Sequence, residues 1–171
     1  MKARRGYVGL AILLVAAVVA LGFGLRRWVA CTVRVAGTSM QDTLRASDVA
    51  LVTRFDYRRG RGPSRGDVVQ CVFPGRSDTY IKRVVGLPGE TIRFSGGALT
   101  VDGQPVEEPY VSTPTEDYEL RLGQGEYLVL GDNRAESYDS RMADMGPVGA
   151  NAFLGRVRCI LWPPERIGPV Q

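Results

Sequence analysis

From residue 29 onward, glycine or proline interrupts the chain at short intervals, and the apolar runs between the breaks show almost no helical period. Runs of this kind at residues 31–36, 49–52, 68–73, 80–85, 91–94, 98–101, 127–130 and 153–162 read as short strands. Ser95-Gly96-Gly97 joins two of them as a hairpin signal. Arg65-Gly66-Asp67 is turn chemistry ahead of a strand. The acidic stretch 107–125, with Pro109 and Pro114 and few apolar positions, reads as a mobile excursion. The expected fold is mostly β, a small partly open β-barrel or sandwich.

Ahead of this region lies a different kind of segment. Residues 6–25 carry no charge and are rich in Leu, Val and Ala. A helix of that length is about 30 Å long, enough to cross a hydrocarbon core. Lys2, Arg4 and Arg5 precede it, and Arg26, Arg27 and Trp28 close it. A cleavable signal peptide is the rival reading, but the run is long for one and the arginine pair favours an uncleaved anchor. Charge on both flanks gives the positive-inside rule a weak vote for a cytoplasmic N-terminus. The expected organisation is a tail at 1–5, a single transmembrane helix at 6–25 and one catalytic-sized domain at 26–171.

The chain has 171 residues and a formal charge of +4. Its arginines do not form a stripe interleaved with aromatics, so no nucleic-acid partner is expected. The arginine-rich loop at residues 58–65 has two readings, a solvated loop or a contact with anionic lipid headgroups. Cys31, Cys71 and Cys159 are widely spaced, there is no histidine, and no metal or organic cofactor is expected. One disulfide is possible, and the sequence does not choose it.

The absence of histidine excludes Ser-His-Asp and Cys-His systems. Of 22 basic residues only Lys2 and Lys82 are lysine, so a chain that fills basic positions with arginine keeps one lysine beyond its tail. Buried among apolar neighbours, lysine can lose its proton at a workable pH, which arginine cannot. Lys82 lies between Tyr80-Ile81 and Val84-Val85, in a strand-like run. It is either an ordinary strand lysine or the base of nucleophilic chemistry. Among the serines, Ser39 follows a strand and a glycine and is flanked by Met40 and Leu44, at the edge of an apolar surface.

Four stretches occur in order: Gly37-Thr38-Ser39-Met40-Gln41-Asp42-Thr43-Leu44; Arg65-Gly66-Asp67-Val68-Val69; Tyr80-Ile81-Lys82-Arg83-Val84-Val85-Gly86-Leu87-Pro88-Gly89-Glu90; and Gly131-Asp132-Asn133-Arg134-Ala135-Glu136-Ser137-Tyr138-Asp139-Ser140-Arg141. Together they resemble the sequence boxes of type I signal peptidases, membrane-bound serine proteases that remove signal peptides from exported proteins. The resemblance runs from the apolar segment to about Trp162.

The resemblance implies a Ser/Lys dyad with Ser39 as nucleophile and Lys82 as general base, and an oxyanion hole that uses the Ser39 N–H. It implies that Ser137 aims the lysine and that Asp139 and Arg141 form a bracing ion pair. Asp132, Asn133 and Arg134 read as turn architecture. Val33, Val35, Met40, Leu44, Tyr80 and Ile81 match positions lining shallow pockets for a small-x-small cleavage signature. Two departures stand out: Gly37 occupies a position where some members carry a hydroxyl for the oxyanion hole, and Asp42 replaces a usual proline.

The implied activity is processing of exported preproteins on the extracytoplasmic face of the plasma membrane, by a monomer in contact with membrane lipids. Three other readings remain: a specialised processing peptidase of organellar or conjugation type, a self-cleaving repressor-type protease, and an inactive anchored β-domain that binds partners. The anchor argues against the repressor type and the Ser39/Lys82 pair against the inactive domain.

Overall fold

Glycine and proline set the strand ends. The computed structural model describes residues 12–22, 24, 29–57 and 61–171. In chain order its strands are β1 (Ala30–Arg34), β2 (Val49–Thr53), β3 (Val68–Cys71), β4 (Tyr80–Gly86), β5 (Thr91–Ser95), β6 (Ala98–Val101), β7 (Gln104–Val106), β8 (Tyr118–Arg121), β9 (Glu126–Leu130), β10 (Val148–Gly149), β11 (Phe153–Trp162) and β12 (Gly168–Pro169).

Eight of these strands form one antiparallel sheet in the order β1-β2-β11-β3-β4-β9-β10, with β12 beside β11. Register shifts in β11 (Phe153/Gly155, Val157/Cys159 and Ile160/Trp162) and in β4 (Val84/Gly86) bend the sheet, because an extra residue on one strand increases local twist. The result is a curled half-barrel, as the mostly β, partly open expectation required. A second sheet, β7-β6-β5-β8, contains the hairpin through Gly96-Gly97, both at positive φ.

The apolar side chains fall into three clusters, and β4 touches all of them. Val84 packs with Val69, Cys71, Phe73 and Val129. Ile81 packs against Val35, Met40, Leu44 and Val68. Val85 packs with Ile92, Phe94, Leu128 and Leu130, which joins the two sheets. Residues 82–86 of β4 are therefore buried on both faces, so any charge there must be neutralised or paired.

Two expectations need correcting. The acidic stretch 107–125 is not a loose excursion: it contains β8, buries Leu122 and Thr115, and holds Glu108 in an ion pair with Arg134 at 2.6 Å. Arg134 is correspondingly more than turn architecture, being 3% exposed. Both points depend on a partner 26 positions away. Cys31, Cys71 and Cys159 are free thiols, and burial pushes the Cys71 thiol up to about 12.

Residues 12–22 are helical. No helix among the described residues is long and apolar enough to cross a membrane. The rest of the expected span (residues 6–11, 23 and 25), its basic flanks, Trp28 and residues 58–60 of the arginine-rich loop lie outside the described residues.

Candidate active site

Strand alternation decides what β4 presents to each side. Lys82 pairs in register with Val69 and shares its face with Val84, whereas Arg83 pairs with Val68 and shares its face with Ile81. Both cations are buried, at 2% and 1% exposure.

Lys82 Nζ lies 2.9 Å from Ser39 Oγ and 3.0 Å from Ser137 Oγ. Burial pushes its pKa below the ordinary lysine value, over the opposing pull of the Asp139 carboxylate. Ser39 sits in the turn that follows β1. The Leu44 N–H donates to the Met40 carbonyl, and the Gln41 N–H to the Thr38 carbonyl. Thr43 Oγ1 donates to Asp132 Oδ2 at 2.6 Å, a brace on the loop that carries Asp42. Gly37 has φ +83°, so a side chain there would be strained although space is open.

The loop after β9 completes the site. The Gly131 N–H donates to Ser137 Oγ at 3.1 Å and to Asp139 Oδ2 at 3.0 Å. The Asn133 N–H donates to the Ser39 carbonyl at 3.0 Å, so the loop bearing Ser137 and the turn bearing Ser39 are directly tied. A Cβ on Gly131 would collide with Ser137 Oγ and the Ser39 carbonyl. Burial raises the Asp139 pKa, but Arg141, the Ser137 hydroxyl and the Gly131 N–H outweigh it and hold the carboxyl below its usual range. Arg141 Nε and Nη2 clasp Asp139 at 2.9 and 3.0 Å.

This hydrogen bonding orients the lysine. With the Ser137 proton directed at Asp139, Ser137 Oγ can accept an N–H from Lys82. The lone pair of a neutral amine then remains for the Ser39 hydroxyl.

A cleft of about 490 Å³ opens beside Ser39 and Lys82, and Val33, Val35, Met40, Tyr80 and Ile81 line it. Leu44 does not; it is fully buried in the apolar cluster with Met40. The five remaining pocket residues and the Ser39/Lys82/Ser137 group thus come together, with Asp139 and Arg141 behind Ser137.

The sequence reading missed three features. Arg83 binds Asp132 through two bonds of 2.8 and 2.7 Å, where Asp132 had been read as a turn residue. Gly131 donates its N–H to Ser137 and Asp139, a role the sequence does not mark. Gln70, also in the cleft lining, passed as part of a strand although it is polar between Val69 and Cys71. Of the three, only Gln70 carried a signal, as a polar residue out of keeping with its apolar run.

Comparison with known proteins identifies the family. Residues 7–162 match the family model described as "Signal peptidase, peptidase S26". The chain is 37% identical to a signal peptidase I of Leptolyngbya laminosa, over 88% of this chain and 77% of that one. It is 30% identical to signal peptidase I U of Bacillus subtilis, over 95% and 92%. The crystal structure of a signal peptidase I from Enterococcus faecalis superposes with a TM-score of 0.52 at 30% identity, covering 56% of this chain and 97% of that one. The chain belongs to the type I signal peptidase family and is a serine endopeptidase.

Proposed function

We propose that this endopeptidase removes N-terminal signal peptides from exported preproteins at small-x-small sites, with Ser39 as nucleophile and Lys82 as general base. The observation that carries the reading is a buried lysine amine within hydrogen-bond reach of one serine and aimed by a second. The Lys82 lone pair takes the Ser39 proton as Oγ attacks the scissile carbonyl. The Ser39 N–H faces the developing oxyanion. Collapse breaks the C–N bond while the Lys82 ammonium protonates the leaving amine, which leaves an acyl-Ser39 ester. Lys82 then takes a proton from water, the hydroxide attacks the ester, and the proton returns to Ser39 as the signal-peptide carboxylate departs.

Substrate would bind extended along β1 and residues 79–81, with alternate side chains entering the cleft. Val33, Val35, Met40, Tyr80 and Ile81 would exclude large ones. Residues 6–25 would anchor a monomer by a single span, with 26–171 on the extracytoplasmic side and in contact with lipid. In support, Ile12, Leu13, Val15, Val18, Val19 and Leu21 are each at least 64% exposed, an apolar surface that calls for an apolar surrounding. The test is cleavage of a presecretory protein in reconstituted vesicles: wild type cleaves, and Ser39→Ala and Lys82→Ala do not. Retained cleavage in either variant would refute the dyad.

A further inference from the structure

The cleft contains a polar side chain that the fold leaves unsatisfied. Gln70 lies on β3, hydrogen-bonded on both sides, opposite Ile81 of β4 and Gly155 of β11. By alternation it shares a face with Val68, which packs with Val35, Met40 and Leu44. Gln70 is 8% exposed, its Oε1 is buried with no hydrogen-bond partner among the described residues, and the residue lines the cleft. An acceptor in that position has lost water and gained nothing in return, a state that folded proteins rarely keep. A valine would suit the same apolar surroundings without that cost. The missing donor is accounted for if it arrives with the substrate.

We propose that Gln70 is a specificity-determining residue whose Oε1 accepts a hydrogen bond from a substrate Ser or Thr hydroxyl. This deepens the protease reading above and rests on it. Lys82 projects from the face of β4 opposite to that of Ile81, and Gln70 sits beside Ile81. Gln70 therefore belongs to the subsite away from Ser39 Oγ, which receives the third residue upstream of the scissile bond. A cleft that admits small side chains accepts Ser and Thr on size, and the hydroxyl supplies the donor. Valine, close to threonine in shape, brings none and leaves Oε1 buried and unpaired.

The test uses full-length protein in detergent and paired signal-peptide substrates that differ only in Thr or Val at that third position. Wild type is expected to favour Thr by about tenfold in kcat/KM, equivalent to about 1.4 kcal/mol. Gln70→Met, which keeps the length of the side chain and removes its polar atoms, is expected to bring the two substrates within about twofold and to raise Tm. Equal rates on Thr and Val in wild type, or a Thr preference that survives Gln70→Met, would overturn the proposal and leave the protease reading intact. A folded wild type that cleaves neither peptide removes both.

Discussion

Lys82 and Arg83 are chain neighbours on the buried part of β4, yet their surroundings differ in kind. Arg83 has a carboxylate in bidentate contact, with further bonds to Gly66 and Thr43 and the Tyr110 ring 3.8 Å from its guanidinium carbon. Lys82 has two hydroxyls and no carboxylate within hydrogen-bond reach. Burial is compensated at Arg83 by pairing, whereas at Lys82 it pushes the amine pKa below its ordinary value. The two cations of one strand thus divide the work, Arg83 tying the structure together and Lys82 standing where the proposed base is needed.

The comparison breaks most severely if the lysine is made like its neighbour. Lys82→Arg keeps the charge and loses the base, so kcat should fall by at least about 10³-fold, measured on a presecretory substrate. Gly131→Ala pushes a methyl group between Ser137 and the Ser39 carbonyl, and kcat should drop about 10²-fold with KM little changed. Asp132→Ala removes the partner on the structural side. It should cost about 3–5 kcal/mol in chemical unfolding, because it strands a buried guanidinium.

The smallest effect is in pH dependence. The proposed mechanism needs neutral Lys82, so kcat/KM should rise with pH and level off below the ordinary lysine value of 10.5. Between the folded and unfolded lysine pKa values the unfolded chain binds more protons. Stability from this group should therefore rise with pH across that window, and Lys82→Met should flatten the rise. An activity profile flat through neutral and alkaline pH would leave Lys82 no different in kind from Arg83.

Much of this was readable in the residues. Lys82 stood out because the chain is otherwise supplied with arginine, and Ser39 because it follows a strand and a glycine at an apolar edge. Strand positions followed from punctuation that acts locally. Asp132 was not legible, because its partner lies 49 residues earlier and only the fold brings them together. β8 was missed because its alternation, Tyr118-Glu119-Leu120-Arg121, is short and lies within an acidic run. Leu44 was placed in the cleft by resemblance, whereas packing puts it beneath Met40.

The ties that complete the site span long stretches of chain: 43 residues from Ser39 to Lys82 and 55 from Lys82 to Ser137. Contacts of such separation form after local ones, because closing long loops costs entropy first. The buried clasp between Arg134 and Glu108 adds a further tie, from the Ser137 loop to the segment between β7 and β8. On the proposed mechanism, a chain still emerging from synthesis would carry Ser39 and Lys82 without the arrangement that arms them.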